Sequence, residues 1–114
     1  MIKLEIKLFN SQIDLFSEFL NECFKRCREQ LTHEDYYNSL YILKTFMDKR
    51  YSMLHRKKKL HTLKFDLNMC ATINKLYDLN VLYIKQPEHG FYYVIFQDAI
   101  AQIDKQKQSL FTVP

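Results

Sequence analysis

One glycine, two prolines and no tryptophan stand among the 114 residues. A single glycine excludes the glycine-rich phosphate loops and the nucleophile elbow, which need several glycines at fixed spacing. It also excludes collagen-like and low-complexity architectures, as the scarcity of proline does. Three cysteines, an odd number without scaffold spacing, point to reduced thiols and a cytoplasmic setting. Charge-free runs are short. The longest is His89–Gln97, nine residues, against the ~20 that a bilayer span needs. The start, Met1-Ile2-Lys3-Leu4-Glu5, interleaves charged and apolar residues and offers no signal-peptide core. Neither secretion nor a membrane partner is expected, and no H-E-x-x-H motif is present.

What is there suits one folded domain. Hydrophobic residues make up 47% and charged residues 26%, the balance of a globule rather than a disordered chain. A chain of this length buries roughly two-thirds of its unfolded surface without metal or disulfide support. Residues 1–114 are therefore expected to form a single α+β domain that needs no cofactor and no metal.

Periodicity divides the chain into elements. Ile2, Leu4, Ile6 and Leu8 alternate with Lys3, Glu5 and Lys7, which predicts a half-buried strand. Asn10-Ser11 offers capping oxygens for a first helix over 12–31, with Ile13, Phe16, Leu20, Cys23, Cys27 and Leu31 inward. Cys23 and Cys27, one turn apart, read as core rather than metal ligands. Thr32, with Asp35 three residues on, caps a second helix over 33–57. Its near-heptad stripe is Tyr36, Leu40, Leu43, Met47, Tyr51 and Leu54. A one-residue junction between the two helices implies a tight αα-hairpin. His33, Glu34 and Asp35 are consecutive on a helix, point apart, and serve its start rather than one substrate atom.

A second strand is predicted near 61–66, then a short helix capped by Asp66 or Asn68 and ended by a left-handed Asn80. Val81–Lys85 and Phe91–Phe96 read as a hairpin. Gln86–Gly90 forms its turn, with Gly90 at the position of positive φ. Asp98 caps a last helix. The expected order is β-α-α-β-α-β-β-α, a mainly antiparallel sheet with the αα-hairpin packed on one face.

Charge is concentrated. Residues 1–48 carry a balance of −2, residues 65–114 a balance of −1, and the sixteen residues Lys49–Lys64 carry seven Lys/Arg and no acid. The formal +4 of the chain resides in that segment. On a helical projection Lys49, Ser52, Arg56 and Lys59 lie opposite the Tyr51/Leu54 stripe, flanked by Arg50 and Lys57. Such a patch can displace counterions from a phosphate backbone. Lys49, Arg50, Arg56, Lys57, Lys58, Lys59 and Lys64 are thus the candidate contacts for nucleic acid or another acidic partner. Cations at a helix end also complement its dipole without any partner.

Three local resemblances bear on function. His89-Gly90-Phe91-Tyr92-Tyr93-Val94-Ile95-Phe96 resembles the RNP1 strand of RNA-recognition motifs at Gly90, Phe91, Tyr93, Val94 and Phe96; His89 and Tyr92 depart from it. The resemblance implies base stacking by Phe91 and Tyr93. The spacing Arg50-x4-His55 resembles the motif of HEPN ribonucleases. There a helical Arg and His act on the scissile phosphate and the ribose 2′-hydroxyl, usually in a dimer. Thr72–Phe96 looks like the recognition helix and wing of a winged-helix domain, although only one helix fits between Asp66 and Val81.

The expectation drawn from these features is a non-catalytic, cytoplasmic protein. Its cationic helix end meets nucleic acid, RNA before DNA, or a nucleoprotein complex. A second expectation rests on residue usage. Phe, Tyr, Met, Ile, Asn and Lys total 49 residues and Gly, Ala, Arg and Pro only 10, a mark of AT-rich coding DNA. That usage and the small size fit a phage- or mobile-element-encoded inhibitor of a host protein, such as a nucleic-acid-guided defence nuclease. A HEPN-like ribonuclease comes third.

Overall fold

The computed structural model describes residues 2–53 and 59–111. The fold is α+β, with a two-stranded antiparallel sheet and helices packed on it. Strand β1 (Lys3–Phe9) leads into helix α1 (Asn10–Cys27), and a 3-10 turn over Arg28–Gln30 precedes helix α2 (His33–Met53). Strand β2 (Leu60–Asp66) returns beside β1, then come helices α3 (Leu67–Leu79), α4 (Val81–Ile84) and α5 (Gly90–Phe111). Strand register runs from Lys3 opposite Asp66 to Phe9 opposite Leu60.

Both strands alternate as the sequence requires. Leu4, Ile6 and Leu8 of β1 and His61, Leu63 and Phe65 of β2 are buried. Against them pack Phe16 of α1, Phe46 of α2 and Phe96 of α5. Phe16 meets Phe46 and Phe96 edge-on at ring separations of 5.4 and 5.0 Å, the arrangement favoured by the ring quadrupole. Cys23, Cys27 and Cys70 are free and buried. Burial pushes the Cys23 thiol up to about 12 and the Cys70 thiol up to about 11, so none is poised as a thiolate nucleophile.

Caps fix the ends. Asp66 accepts the Met69 N–H at 2.8 Å and starts α3. Thr32 Oγ1 accepts the Asp35 N–H at 3.1 Å and starts α2. At α1 the expected caps are replaced. Gln12 Oε1 accepts the Phe9 N–H at 2.9 Å, and Asn10 turns to β2, where its Oδ1 meets His61 Nε2. Asn80 ends α3 with φ −115 rather than in the left-handed region. Its buried amide donates to the carbonyls of Leu76 (2.9 Å) and Cys23 (3.1 Å), which ties α3 to α1.

The expected hairpin is not formed. Val81–Ile84 is one helical turn, and Gly90–Phe111 is a single helix that absorbs both the second hairpin strand and the last helix. Gly90 lies at φ −51, inside the right-handed region. The apolar run Phe91–Phe96 does not alternate. Its inward members Ile95 and Phe96 continue to Ala99 and Ile103, one stripe of period 3.6 across the supposed boundary. A short apolar run is compatible with a buried strand or a buried helix, and here the downstream period decides.

Helix α2 departs in a second way. The buried residues are Ser39, Ile42 and Phe46, not the heptad stripe, of which Leu40, Met47 and Tyr51 are exposed and Leu54 lies outside the described residues. Two apolar stripes compete on this helix. The inward one is masked in the sequence by a serine, whose hydroxyl is satisfied by the Asp35 carbonyl at 2.7 Å.

Helix α5 also closes an edge of the sheet. Gln106 Oε1 accepts the Glu5 N–H (2.7 Å) and its Nε2 donates to the Glu5 carbonyl (2.6 Å). Gln102 makes the same pair of bonds to Lys7 (2.7 and 3.0 Å). Four helical residues advance ~6 Å and two strand residues ~6.8 Å, so glutamines at i and i+4 match backbone groups at j and j+2. They act as a third strand made of side chains. The bare edge, an invitation to aggregation, is removed.

Candidate functional site

The cationic segment is divided by the fold. Helix α2 spans His33–Met53 and Lys59 stands before β2 rather than on that helix, so the shared helical face of Lys49 and Lys59 is not realised. Arg50 is held by α1: its Nε lies 2.5 Å from Asp14 and its terminal nitrogen 3.3 Å from Glu18. Those carboxylates are four residues apart on α1 and form a clamp that matches its charge. Lys49 is half-buried. Arg56, Lys57 and Lys58, with His55 of the ribonuclease-like spacing, lie outside the described residues.

Lys59 and Lys64 are exposed. Asn10 fixes the position of the first. Its N–H donates to the Lys59 carbonyl at 3.1 Å while its side chain holds His61. Lys59 is therefore held against the end of β1. Lys64 opposes Glu5 across the strands, 4.0 Å apart, a loose and solvated pair of little energetic weight.

The register places further side chains beside these. Residues one position off the buried set face solvent: Lys3, Glu5, Lys7 and Phe9 on β1, and Leu60, Thr62, Lys64 and Asp66 on β2. Phe9 is 55% exposed and its cross-strand neighbour Leu60 40% exposed. Lys7 and Thr62 form the next pair and Glu5 and Lys64 the one after. Cross-strand neighbours of this kind have Cβ atoms ~5 Å apart. An exposed ring thus shares a sheet face with Lys7 and Lys64, next to Lys59. Sequence reasoning missed Phe9, although its signal was present: it continues the outward series Lys3, Glu5, Lys7.

Phe91 and Tyr93 are placed differently from the RNP1-like expectation. Both belong to α5, where residues i and i+2 diverge by ~200°, so the common face that a strand would supply is lost. Phe91 is exposed, with its ring 6.1 Å from that of Tyr92. Tyr93 packs against the core.

A concavity of about 370 Å³ is lined by Glu18, Phe19, Asn21, Glu22, Tyr83, His89 and Tyr92. Phe19 stacks on Tyr92 (4.5 Å) and Tyr83 (5.8 Å), and Arg26 covers the Tyr83 ring at 3.9 Å. His89 Nδ1 donates to the Tyr83 carbonyl at 2.7 Å. Glu18 is engaged by Arg50 and Glu22 by Lys25. The rings pack on one another and the charges are already matched, which marks a structural cluster.

Asp35 is another structural centre. It takes hydrogen bonds from Thr72 (2.9 Å) and Thr32 (3.1 Å) and an ion pair from Lys75 (3.3 Å). Partial burial alone would push its carboxyl up; these donors outweigh that and hold it below the ordinary range. It joins α2 to α3.

Among the described residues no group of three His, Cys, Asp or Glu is placed to hold a metal ion, and no helix is long and apolar enough to cross a membrane. The chain matches no protein-family model, and no curated protein or solved structure is similar to it.

Proposed function

We propose that this is a non-catalytic protein that binds single-stranded nucleic acid, RNA in preference to DNA, on the outer face of its two-stranded sheet. The observation that carries the reading is the juxtaposition of exposed Phe9 and Leu60 with Lys7 and Lys64 on one sheet face, at whose end Lys59 is exposed. Nucleic-acid strands are gripped without sequence preference by cations that track the phosphates and by rings that stack on bases. The outer face offers both. In the sequence, the acid-free segment that leads into β2 supplies Arg56, Lys57 and Lys58 as further candidate phosphate contacts, which lie outside the described residues. Among the described residues the exposed ring and its lysines lie on a sheet rather than on a helix that could enter a major groove, which favours RNA over duplex DNA. Arg50, clamped by Asp14 and Glu18, is assigned to the fold and not to the phosphates.

The test is fluorescence anisotropy with a labelled single-stranded RNA, titrated with salt. Affinity is expected to fall linearly on a log–log plot of binding constant against salt. Lys59→Glu combined with Lys64→Glu should reduce the slope. A base stack contributes about 1–3 kcal/mol, so Phe9→Ala is expected to weaken binding about tenfold. Absence of binding at low salt overturns the reading.

A further inference from the structure

We propose that the outer face of α2 is the contact through which two copies of this chain form an antiparallel, two-fold symmetric dimer. The inference stands apart from nucleic-acid binding, which uses the sheet. Tyr37, Leu40, Tyr41, Met47 and Tyr51 are between 41% and 71% exposed. Together with Lys44 and Asp48 they recur at three- and four-residue steps over two heptads. In heptad terms Tyr37, Lys44 and Tyr51 occupy one seam position, Leu40 and Met47 the other, with Tyr41 and Asp48 flanking. An ordinary surface helix is polar on its outer side. This one is apolar both inward, through Ile42 and Phe46, and outward. Contiguous apolar faces of this kind mark interaction sites.

Charge selects the occupant. Lys44 and Asp48 are exposed in the middle of the stripe and pair with none of the described residues. An antiparallel copy centred between Thr45 and Phe46 sets Leu40 against the partner's Tyr51. It also brings Lys44 against the partner's Met47, beside the partner's Asp48. Symmetry repeats each contact, so both charges of both copies are matched inside an otherwise apolar seam. A parallel pair would set Lys44 against its own copy. The lone lysine in the seam therefore specifies direction, as polar seam residues do. A single helix pair falls short of the roughly 800 Å² per partner of a standard interface, so a concentration-dependent dimer is expected.

Sedimentation equilibrium of the full chain from about 1 to 100 µM tests this. The wild-type protein should move from monomer to dimer over that range. Lys44→Glu alone, or Asp48→Lys alone, should weaken association about tenfold or more, because symmetry makes each substitution act twice. The double variant Lys44→Glu/Asp48→Lys should restore it. Both positions are solvent-facing, and circular dichroism is expected to show every variant folded. A monomer at all concentrations overturns the proposal and leaves the face to a different protein. A dimer indifferent to Lys44→Glu, or not rescued by the double exchange, overturns it as well.

Discussion

On the inner face of the ribbon formed by β1 and β2, Leu4, Ile6, Leu8, His61, Leu63 and Phe65 are all buried. One residue along in each strand, Lys3, Lys7, Phe9, Leu60 and Lys64 are exposed. The two sets interleave in the same fourteen residues of one antiparallel ladder. What separates them is only the period of the strand, which sends neighbours to opposite sides. The inner set has one task, packing against Phe16, Phe46 and Phe96 of three helices. The outer set contributes little to that packing, so its composition is available for binding. The exposed Phe9 ring belongs to no part of the core cluster, whereas Phe16, Phe46, Phe65 and Phe96 all lie within it.

That comparison can be broken at graded cost. Phe65→Ala should destabilise the fold by about 3–5 kcal/mol, the cost of a large cavity in a rigid core, measured by urea denaturation. Replacing Gln102 and Gln106 together by alanine exposes the β1 edge and should cost about 1–3 kcal/mol, from four hydrogen bonds exchanged for water. The same variant should aggregate faster by light scattering. Asp35→Ala removes a cap partner and an interhelix link, at about 1 kcal/mol. Because the folded Asp35 carboxyl is held down, its contribution is full above the ordinary carboxylate range. It is lost as pH falls through the folded value, and Asp35→Asn should flatten the acid limb of the stability curve. Gly90→Ala should stabilise by about 0.4–1 kcal/mol. The helix start has φ −51 and an added Cβ meets nothing within 4 Å. A hairpin turn with positive φ would give the opposite sign.

Much of this fold is legible in the sequence. Strict alternation located both strands, and three- and four-residue spacing located α3 and the body of α1, whose expected run to Leu31 and one-residue junction give way to the 3-10 turn over Arg28–Gln30; Thr32 and Asp66 announced their helices correctly. Two failures have physical causes. At Phe91–Phe96 a continuous apolar run carries no period of its own, and Pro87 and Gly90 imitate a turn while serving as a helix entrance. On α2 the helix was legible but its orientation was not. Tyr36, Leu40, Leu43, Met47 and Tyr51 look as apolar as the true inner stripe, where Ser39 lowers the count. The acid-free segment was legible as charge. Its neutralisation at Arg50 was not, since Asp14 and Glu18 are more than thirty residues away in the chain. Phe9 was legible as the next member of the outward series Lys3, Glu5, Lys7, but its place beside Leu60 comes only from the register.

The most direct measurement is the affinity of Phe9→Ala for single-stranded RNA, set beside its melting temperature. The account predicts binding about tenfold weaker, the value of one lost base stack, with the melting temperature unchanged because that ring supports no core. Unchanged affinity, or a loss of binding that merely follows a loss of folding, would contradict it.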